Sequence, residues 1–459
     1  MSPSALHIKS EEIDTAEKRQ KYTVGIIGQD QTDVLYAYLF AEAGFKVTYA
    51  NPDQAVVGML VKGRGLCLRT EIESKLKVHI RNGHLAATND IKSAVSQSDI
   101  VAIAFSAKTD ERKAVDYSQL ESTCKIVGSN LRCDSLVIVL GVMGLGINEN
   151  VVRKILEDTS GLKLGTDLGL AYVPQRVVNG SVLEGTASHE LMVAASEKNS
   201  LNAASTILAA IARKGVIKTE KVRTAEAVAL FQAAREQVNA ALTDEFRVLC
   251  EKAGLDYFDI CKLLDSQEGR PNSSSMFTGE NVQTETCILL DSAENVAARL
   301  RIPSIAVEVD DGTIKHAANL AQNAMRECGK ALRRARIALL GVTQTPNMRS
   351  PPKAVLQKLV ETLTRKGARV SIYDPYLTES ALEKMTFPFK KSLTEVIENA
   401  DCVVILTAHD QFRRLNLNKL KLIMKMPAAI VDLEGAVEPD KVEKEGFIYR
   451  GFGRGVWKK

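Results

Sequence analysis

The 459-residue chain has no long apolar run, no paired-cysteine motif and little excess of charge of either sign. Without a stretch of ~18 uncharged apolar residues, no membrane-spanning helix is predicted. The eight cysteines lack regular spacing, which argues against a zinc site or a disulfide framework and predicts a reducing, cytoplasmic compartment. The net charge of +4 is spread along the chain, so nothing indicates a nucleic-acid partner, and clusters such as Arg333–Arg336 are interpreted as solvated helix ends.

What remains is the composition of an ordinary globular protein, with 45% hydrophobic and 25% charged residues. A chain of this length is expected to form two or three domains. Its first 20 residues are polar and charged without an apolar core. They are predicted to be a disordered tail and not a signal peptide.

The order of strand-like and helix-like runs predicts the architecture. Such runs alternate from Tyr22 to about Val216, which indicates a mostly parallel sheet with helices on both faces. A long helical pattern follows from Ala225, and a second alternation starts at Ile337. The predicted fold is α/β, with two Rossmann-like, doubly wound parallel-sheet domains joined by a central helical dimerisation region. The predicted ranges are a tail at 1–20, a first domain at 21–216, the central helical region at 217–332 and a second α/β domain at 333–459.

The first strand–turn–helix unit has the form of a dinucleotide-binding unit but lacks most of its working residues. A tight turn opens at Gly28. The two later glycine positions of the fingerprint hold Asp30 and Asp33, and Asn51 replaces the acid that would bind a ribose. A carboxylate ~4 Å from a phosphate charge costs about 4 kcal/mol at an effective dielectric of 20. Alternatively, the two aspartates simply favour a helix N-terminus.

Several local phrases, in this order and spacing, resemble the UDP-glucose/GDP-mannose dehydrogenase family. They are Ala171–Val177 with Leu183–Gly185, Val222–Glu226, Tyr373–Tyr376, Ala400–Asp410 and Gly446–Gly455. The resemblance extends over roughly residues 22–455. Members of this family oxidise the C6 alcohol of a nucleotide sugar to the carboxylate with two NAD. The resemblance therefore implies NAD as cofactor, a nucleotide sugar as ligand, a homodimer formed through the long helix, and no metal.

The resemblance also implies a catalytic set, most of which this chain has replaced. The family's nucleophilic cysteine, which carries a thioester, corresponds to Cys287, and its companion aspartate to Asp291. The lysine that stabilises the oxyanion is Ala229 here, the asparagine is Ala233, and the catalytic glutamate is Gln175. Losing one oxyanion donor typically costs ~10²–10³ in rate. Cys287 is then either a nucleophile or a small buried hydrophobic residue.

The candidate binding residues are few. The candidate cofactor contacts are Gly25, Gly28, Asn51 and Thr109. In the second α/β domain, Arg349 is either a contact for a diphosphate or a neighbouring subunit, or a plain helix-start arginine. Glu434 takes the place of a strand-end arginine and is expected to repel a diphosphate. His409 is expected to cap or orient a loop.

Three functions remain open from the sequence. The chain is an active NAD-dependent UDP-sugar 6-dehydrogenase in polysaccharide precursor synthesis, or an impaired relative that binds a sugar nucleotide or regulates an active homologue, or an enzyme that uses Cys287 for unrelated thiol chemistry. The substitutions concentrate where the family has its working groups, whereas the phrase at 446–455 is kept. We therefore expect that the family's reaction has been lost.

Overall fold

The computed structural model describes residues 4–28, 33–65, 70–105, 108–109, 115–174, 190–268, 280–350, 352–353, 355–377 and 387–455. These residues form two compact units. The first consists of Met1–Ala234 with Thr284–Arg299, and the second of Arg235–Gln283 with Leu300–Lys459. Each unit is built on a mostly parallel sheet, which confirms the predicted α/β class with two Rossmann-like domains. The predicted boundaries after residues 216 and 332 remain predictions.

The strands of the first unit form an eight-stranded sheet and a short two-stranded ribbon. They are β1 (Thr23–Ile27), β2 (Lys46–Ala50), β3 (Leu85–Thr88), β4 (Ile100–Phe105), β5 (Lys108–Thr109), β6 (Val115–Asp116), β7 (Ser135–Gly141), β8 (Leu168–Val173), β9 (Leu191–Ala194) and β10 (Val216–Thr219). The sheet has the order β10-β9-β8-β7-β4-β1-β2-β3, and β5 pairs with β6. Only β8 and β9 pair antiparallel within the described part of this sheet. Strands β4 and β7 are buried along their whole length, because helices cover both faces of a parallel sheet.

The strands of the second unit form a five-stranded, all-parallel sheet. They are β11 (Arg336–Leu340), β12 (Arg369–Tyr373), β13 (Cys402–Ile405), β14 (Ala429–Asp432) and β15 (Ile448–Gly451). Their order is β12-β11-β13-β14-β15. The strand order reverses between β1 and β4 in the first sheet and between β11 and β13 in the second. Ligands of doubly wound folds bind beyond the carboxyl ends of the strands at such reversals.

The helices of the described residues cover these sheets and connect them. They are α1 (Ala16–Arg19), α2 (Val34–Glu42), α3 (Gln54–Val61), α4 (Thr70–Arg81), α5 (Ile91–Ser96), α6 (Ser118–Gly128), α7 (Lys154–Ser160), α8 (Lys198–Ala209), α9 (Val222–Ala253), α10 (Tyr257–Glu268), α11 (Glu280–Glu294), α12 (Arg301–Glu327), α13 (Val355–Arg365), α14 (Leu393–Ile397), α15 (Asp410–Arg413), α16 (Leu417–Ile423) and α17 (Pro439–Lys444). A 3-10 turn at Ser10–Glu12 precedes α1, and a π-helical segment at Asn148–Arg153 leads into α7.

The expectation of a disordered tail at 1–20 is wrong for the residues from Ser4 onward. Ala5, Leu6 and Ile8 are buried, and the Leu6 amide donates to the Asp134 carbonyl at 3.2 Å. Leu6 packs beside Gly169 of β8, where an added β-carbon would lie 2.9 Å from its Cδ1. A few apolar side chains spaced among charged ones are enough to fix this segment, because the sheet supplies the rest of the contact surface.

The 32-residue helix α9 has a buried side and an exposed apolar stripe. Ala229 and Ala233 have no exposed surface, whereas Leu242, Phe246 and Leu249 are 47%, 49% and 60% exposed. The spacing of these three residues, four and then three apart, puts them on one side of the helix. No helix in the described part of the chain is both long enough and apolar enough to cross a bilayer.

Candidate functional site

The turn after β1 lies at the strand-order reversal of the first sheet, and a tyrosine fills the space beside it. The Gly28 amide donates to the Ala50 carbonyl at 2.9 Å. A β-carbon on Gly28 would lie 2.7 Å from Cζ of Tyr49, and Tyr49 is fully buried. The glycine is therefore required by the protein's own phenol ring, and the position does not form an open cradle.

Two polar residues beside this turn are already engaged. The Asn51 amide nitrogen donates to the Tyr49 hydroxyl at 3.0 Å, and its carbonyl oxygen accepts the Asp53 amide at 2.8 Å. Asp33 lies buried just before α2. Burial, with a further contribution from the Asp33 charge, raises the pKa of Tyr36 well above its usual value. A carboxylate therefore stands at the helix N-terminus where a dinucleotide fold receives a phosphate. Asp30 lies outside the described residues.

The other two candidate cofactor contacts have different surroundings. Gly25 lies in the middle of β1, and a β-carbon there would be 2.6 Å from the Ser98 hydroxyl. The packing of Ser98 against the strand accounts for the glycine, and the expected role of Gly25 at a phosphate remains a prediction. Thr109 lies in the ribbon strand β5, opposite Val115.

A buried glutamate on α9 holds the loop that follows β7. Both carboxylate oxygens of Glu226 accept backbone N–H groups, from Gly146 at 2.6 Å and from Asn148 at 3.0 Å. Burial raises the pKa of Glu226 to about 7, although the two hydrogen bonds lower it. The sequence analysis names Glu226 only as the last residue of the Val222–Glu226 phrase, and in the structure its carboxylate also holds this loop.

Helix α11, which carries Cys287, contacts the same loop. The Ser292 hydroxyl accepts the Leu145 amide at 3.2 Å, and the Tyr117 hydroxyl accepts the Gly144 amide at 2.9 Å. Burial raises the pKa of Tyr117 to about 12, and the charges of Asp291 and Glu226 add to the shift. The loop after β7 is thus fixed from three elements, and its surroundings are rich in acidic groups.

Cys287 itself is buried, as are Thr286 and Glu285 beside it. Burial raises the pKa of Tyr172 well above its ordinary value, and the nearby carboxylates of Glu226 and Glu285 raise it further. The surroundings of Tyr172 therefore disfavour additional negative charge. Gln175, at the family's glutamate position, lies outside the described residues.

The carboxyl edge of the second sheet carries a buried polar network centred on Asp374. One of its oxygens accepts the Val342 amide at 2.7 Å, the Thr343 amide at 2.8 Å and the Thr343 hydroxyl at 2.9 Å. Burial raises the pKa of Asp374, but the hydrogen bond from His409 and those from the backbone donors outweigh it, so that the net shift of this pKa is downward.

His409 completes this network from the loop after β13. Its Nδ1 accepts the Asn347 amide at 2.8 Å, so the ring proton is on Nε2, which lies 3.1 Å from the Asp374 carboxylate. The side chain has no exposed surface. These contacts agree with the interpretation of His409 as a residue that orients a loop.

Glu434 has a partner that the sequence did not reveal. The Lys353 ammonium lies 2.9 Å from the Glu434 carboxylate and donates to the Leu406 carbonyl at 2.7 Å. The expectation that Glu434 acts as a repelling charge is therefore wrong, because a buried cation neutralises it. Arg349, in the loop before α13, is exposed.

Among the residues that the structure describes, no group of three histidine, cysteine or acidic side chains is arranged to hold a metal ion. The cysteines in this part of the chain are free thiols. Two doubly wound sheets with polar residues at the carboxyl edges of their reversals define a two-domain protein of the dinucleotide-fold class.

Comparison with known proteins identifies the family within this class. The model for the UDP-glucose/GDP-mannose dehydrogenase family, NAD binding domain, matches residues 22–212, and the model for the UDP binding domain of the same family matches residues 338–439. The chain belongs to the UDP-glucose/GDP-mannose dehydrogenase family.

Individual relatives are distant but cover nearly the full length. UDP-glucose 6-dehydrogenase of Rhizobium meliloti strain 1021 is 26% identical over an alignment of 449 residues, with coverage of 94% of this chain and 99% of the relative. UDP-N-acetyl-D-mannosamine dehydrogenase of Pyrococcus horikoshii is 25% identical over 437 residues, with coverage of 94% and 99%.

Solved structures agree with the fold. UDP-D-ManNAc dehydrogenase from Pyrococcus horikoshii superposes with a TM-score of 0.82 at 23% identity, covering 95% of this chain and 100% of that chain. UDP-glucose dehydrogenase from Pyrobaculum islandicum gives a TM-score of 0.79 at 19% identity, with coverage of 94% and 98%. At these identities the similarity is evidence for the fold alone.

Proposed function

We propose that this protein binds a nucleotide sugar but does not carry out the family's oxidation, and that it acts as a sugar-nucleotide-binding or regulatory homologue. The family itself follows from the matched domains. The loss of catalysis and the regulatory role are the proposal.

The observation that carries the proposal is the buried methyl surface on α9. Ala229 and Ala233 correspond to the family's oxyanion-stabilising lysine and asparagine, and both have no exposed surface. A methyl group donates no hydrogen bond and carries no charge, so neither residue stabilises a developing oxyanion. Cys287 alone supplies neither the oxyanion donors nor the proton transfers that the family's reaction needs.

The residues around the β1 turn do not fit NAD. The Tyr49 ring fills the space beside Gly28, and the Asn51 side chain is occupied by Tyr49 and Asp53. The buried Asp33 carboxylate stands at the start of α2, where it opposes a phosphate by about 4 kcal/mol at ~4 Å and an effective dielectric of 20. No catalytic step is therefore assigned to the cofactor in this chain.

The second unit keeps features suited to a nucleotide sugar. Its polar network follows the strands at the carboxyl edge, and the exposed Arg349 lies in the loop between β11 and α13. The neutralised Glu434 no longer opposes a diphosphate there. Arg349 would hold the diphosphate through charge-assisted hydrogen bonds.

The exposed stripe on α9 supports a homodimer. Leu242, Phe246 and Leu249 form an unpartnered apolar face in the monomer, and apolar patches of this kind mark interfaces between proteins. A second copy of the same helix would cover the face through a two-fold contact.

Calorimetric titration of the purified protein tests the proposal. We expect heat of binding for UDP-glucose or UDP-N-acetylmannosamine and no heat for NAD up to millimolar concentration. Arg349→Gln should lower the affinity for the sugar nucleotide at least tenfold, because it removes a charge-assisted contact. Arg414→Gln, which removes another exposed arginine of the same unit, should leave the affinity for the sugar nucleotide unchanged. Sub-millimolar NAD binding, or no binding of any nucleotide sugar, contradicts the proposal.

A further inference from the structure

Unpaired arginines gather at the amino end of the second sheet. Arg336 begins β11 and Arg369 begins β12, and the two residues are partners in the parallel register. Both are exposed. Partners on neighbouring strands project from the same face about 5 Å apart, where like charges repel each other.

The chain before β11 adds two more arginines. Arg334 has a φ of 68°, in the left-handed region that disfavours a β-carbon, and its amide donates to the Gly367 carbonyl at 2.7 Å. A β-carbon on Gly367 would lie 3.0 Å from Cγ of Arg333. Within the described residues, none of Arg333, Arg334, Arg336 and Arg369 is ion-paired with a carboxylate. No carboxylate in the described part of the chain therefore compensates the repulsion among these cations.

A groove of about 900 Å³ adjoins these cations. It lies between α13, the start of β12 and the segment at residues 387–388. Its apolar surface comes from Val360, Ala368, Val370, Phe387 and Pro388. Two arginines, Arg365 and Arg369, line it together with Thr364 and Glu361. The volume lies in the range of small-molecule sites, which combine apolar walls with a few polar groups.

The acidic residue of the groove is not paired with its neighbouring arginine. Glu361 and Arg365 are four residues apart on α13, yet Glu361 accepts from the Gln357 amide at 2.9 Å and Arg365 donates to the Thr362 hydroxyl at 3.5 Å. A carboxylate has about four lone-pair positions, so Glu361 keeps acceptor capacity. The groove therefore offers a hydrogen-bond acceptor, Glu361, and two cations, Arg365 and Arg369, that are not paired with it.

This groove is separate from the candidate nucleotide-sugar site. That site follows the carboxyl ends of the strands, after Leu340 and Tyr373, whereas the arginines stand at the amino ends. Four residue steps of a strand span roughly 13 Å. The groove and the candidate nucleotide-sugar site therefore lie at opposite ends of the strands and are treated as two different sites.

We propose that this groove binds a purine nucleoside triphosphate whose base carries an exocyclic amine. Phe387 and Val370 pack against the base, and Glu361 accepts from its amine. Arg365 and Arg369 hold the phosphate oxygens, since guanidinium groups bind phosphate through paired hydrogen bonds. The Glu361 charge sets the orientation, because it attracts the amine and repels the phosphates.

Calorimetry on the full-length protein, with ATP as the probe and saturating UDP-glucose present, tests this site. We expect ATP to bind. The double variant Arg365→Gln with Arg369→Gln should lower the affinity for ATP at least tenfold. The matched pair Lys419→Gln with Lys421→Gln removes two exposed cations of α16 and should leave ATP affinity unchanged. Equal affinity in both double variants overturns the proposal.

Two further ligands test the chemistry of recognition. Inosine triphosphate lacks the exocyclic amine and inorganic triphosphate lacks the base, so both should bind more weakly than ATP. Glu361→Gln should reduce the difference in affinity between ATP and inosine triphosphate. Circular dichroism checks that this variant keeps its fold. If inorganic triphosphate binds as tightly as ATP, the groove is a general anion surface and the proposal is wrong. Failure here leaves the proposed nucleotide-sugar function untouched, because Arg349 is unchanged in every variant.

Discussion

The phenol ring of Tyr49 lies against Gly28, so close that a β-carbon on the glycine would be 2.7 Å from Cζ of the ring. A glycine at this turn ordinarily suggests a nucleotide, but here an internal side chain explains it. The same tyrosine accepts a hydrogen bond from Asn51. Gly28 and Asn51, two candidate contacts for a coenzyme, are therefore both packed against a buried tyrosine of the protein itself.

Substitution at Gly28 should expose this relationship. We expect Gly28→Ala to lower the free energy of unfolding by about 1–3 kcal/mol through overpacking. Tyr49→Leu should lower it by leaving a cavity. The double variant should lose less than the sum of the two, since the smaller leucine makes room for the methyl group. Urea denaturation measures all three, and strict additivity would show that the ring is not what excludes the methyl group.

The stability of the first unit should depend on pH through Glu226. Burial raises its pKa from 4.5 to about 7, so the native state binds the proton more tightly than the unfolded chain. The resulting stabilisation is complete below pH 4.5 and is lost as the pH rises through 7. A shift of this size corresponds to about 3 kcal/mol.

Urea titrations at pH 5 and pH 8 check this dependence. The free energy of unfolding should fall with rising pH by about 2 kcal/mol more in the wild type than in Glu226→Gln, which cannot titrate. Glu220→Gln, which changes an exposed carboxylate of the same unit, serves as the control. An equal fall in the wild type and Glu226→Gln would contradict the assignment.

The pair between Lys353 and Glu434 should behave as a buried ion pair. Lys353→Met leaves the Glu434 carboxylate and the Leu406 carbonyl without this ammonium, and we expect a loss of about 3 kcal/mol in the free energy of unfolding. Adding Glu434→Gln should recover much of that loss, because the unpaired charge is removed. Thermal and urea unfolding measure these changes. If Lys353→Met is as stable as the wild type, the buried ion pair does not contribute as expected.

The exposed stripe on α9 should control the oligomeric state. Phe246→Glu places a charge in the centre of this face, which is compatible with water but not with a covered interface. We expect the variant to be monomeric by light scattering and the wild type dimeric. Leu422→Glu changes an isolated residue that is 87% exposed and should remain a dimer. A monomeric wild type contradicts the proposed homodimer.

Much of the fold was predictable because its signals are local. The uninterrupted apolar run of β4 predicts a strand buried on both faces, and the structure has it at Ile100–Phe105. The positions of Ala229 and Ala233 were also predictable, since they follow Glu226 at helical spacing. Their burial then follows from facing the same side of α9.

The features that the sequence did not reveal depend on residues far apart in the chain. Lys353 and Glu434 are separated by 81 positions, and nothing in either local sequence indicates the other. Leu6 is fixed by contact with the neighbourhood of Gly169, whereas the local composition of its segment predicts a tail. Sequence periodicity predicts which face of a helix or strand is buried. It does not predict contacts between residues far apart in the chain, because these depend on how the strands pair.

The turnover assay tests the central claim most directly. Purified protein is incubated with NAD and, in turn, UDP-glucose, UDP-N-acetylglucosamine, UDP-N-acetylmannosamine and GDP-mannose, and NADH is followed at its absorption band. The predicted result is no NADH above the protein-free rate, with Cys287→Ser indistinguishable from the wild type. Sustained NADH formation that disappears in Cys287→Ser would contradict the account.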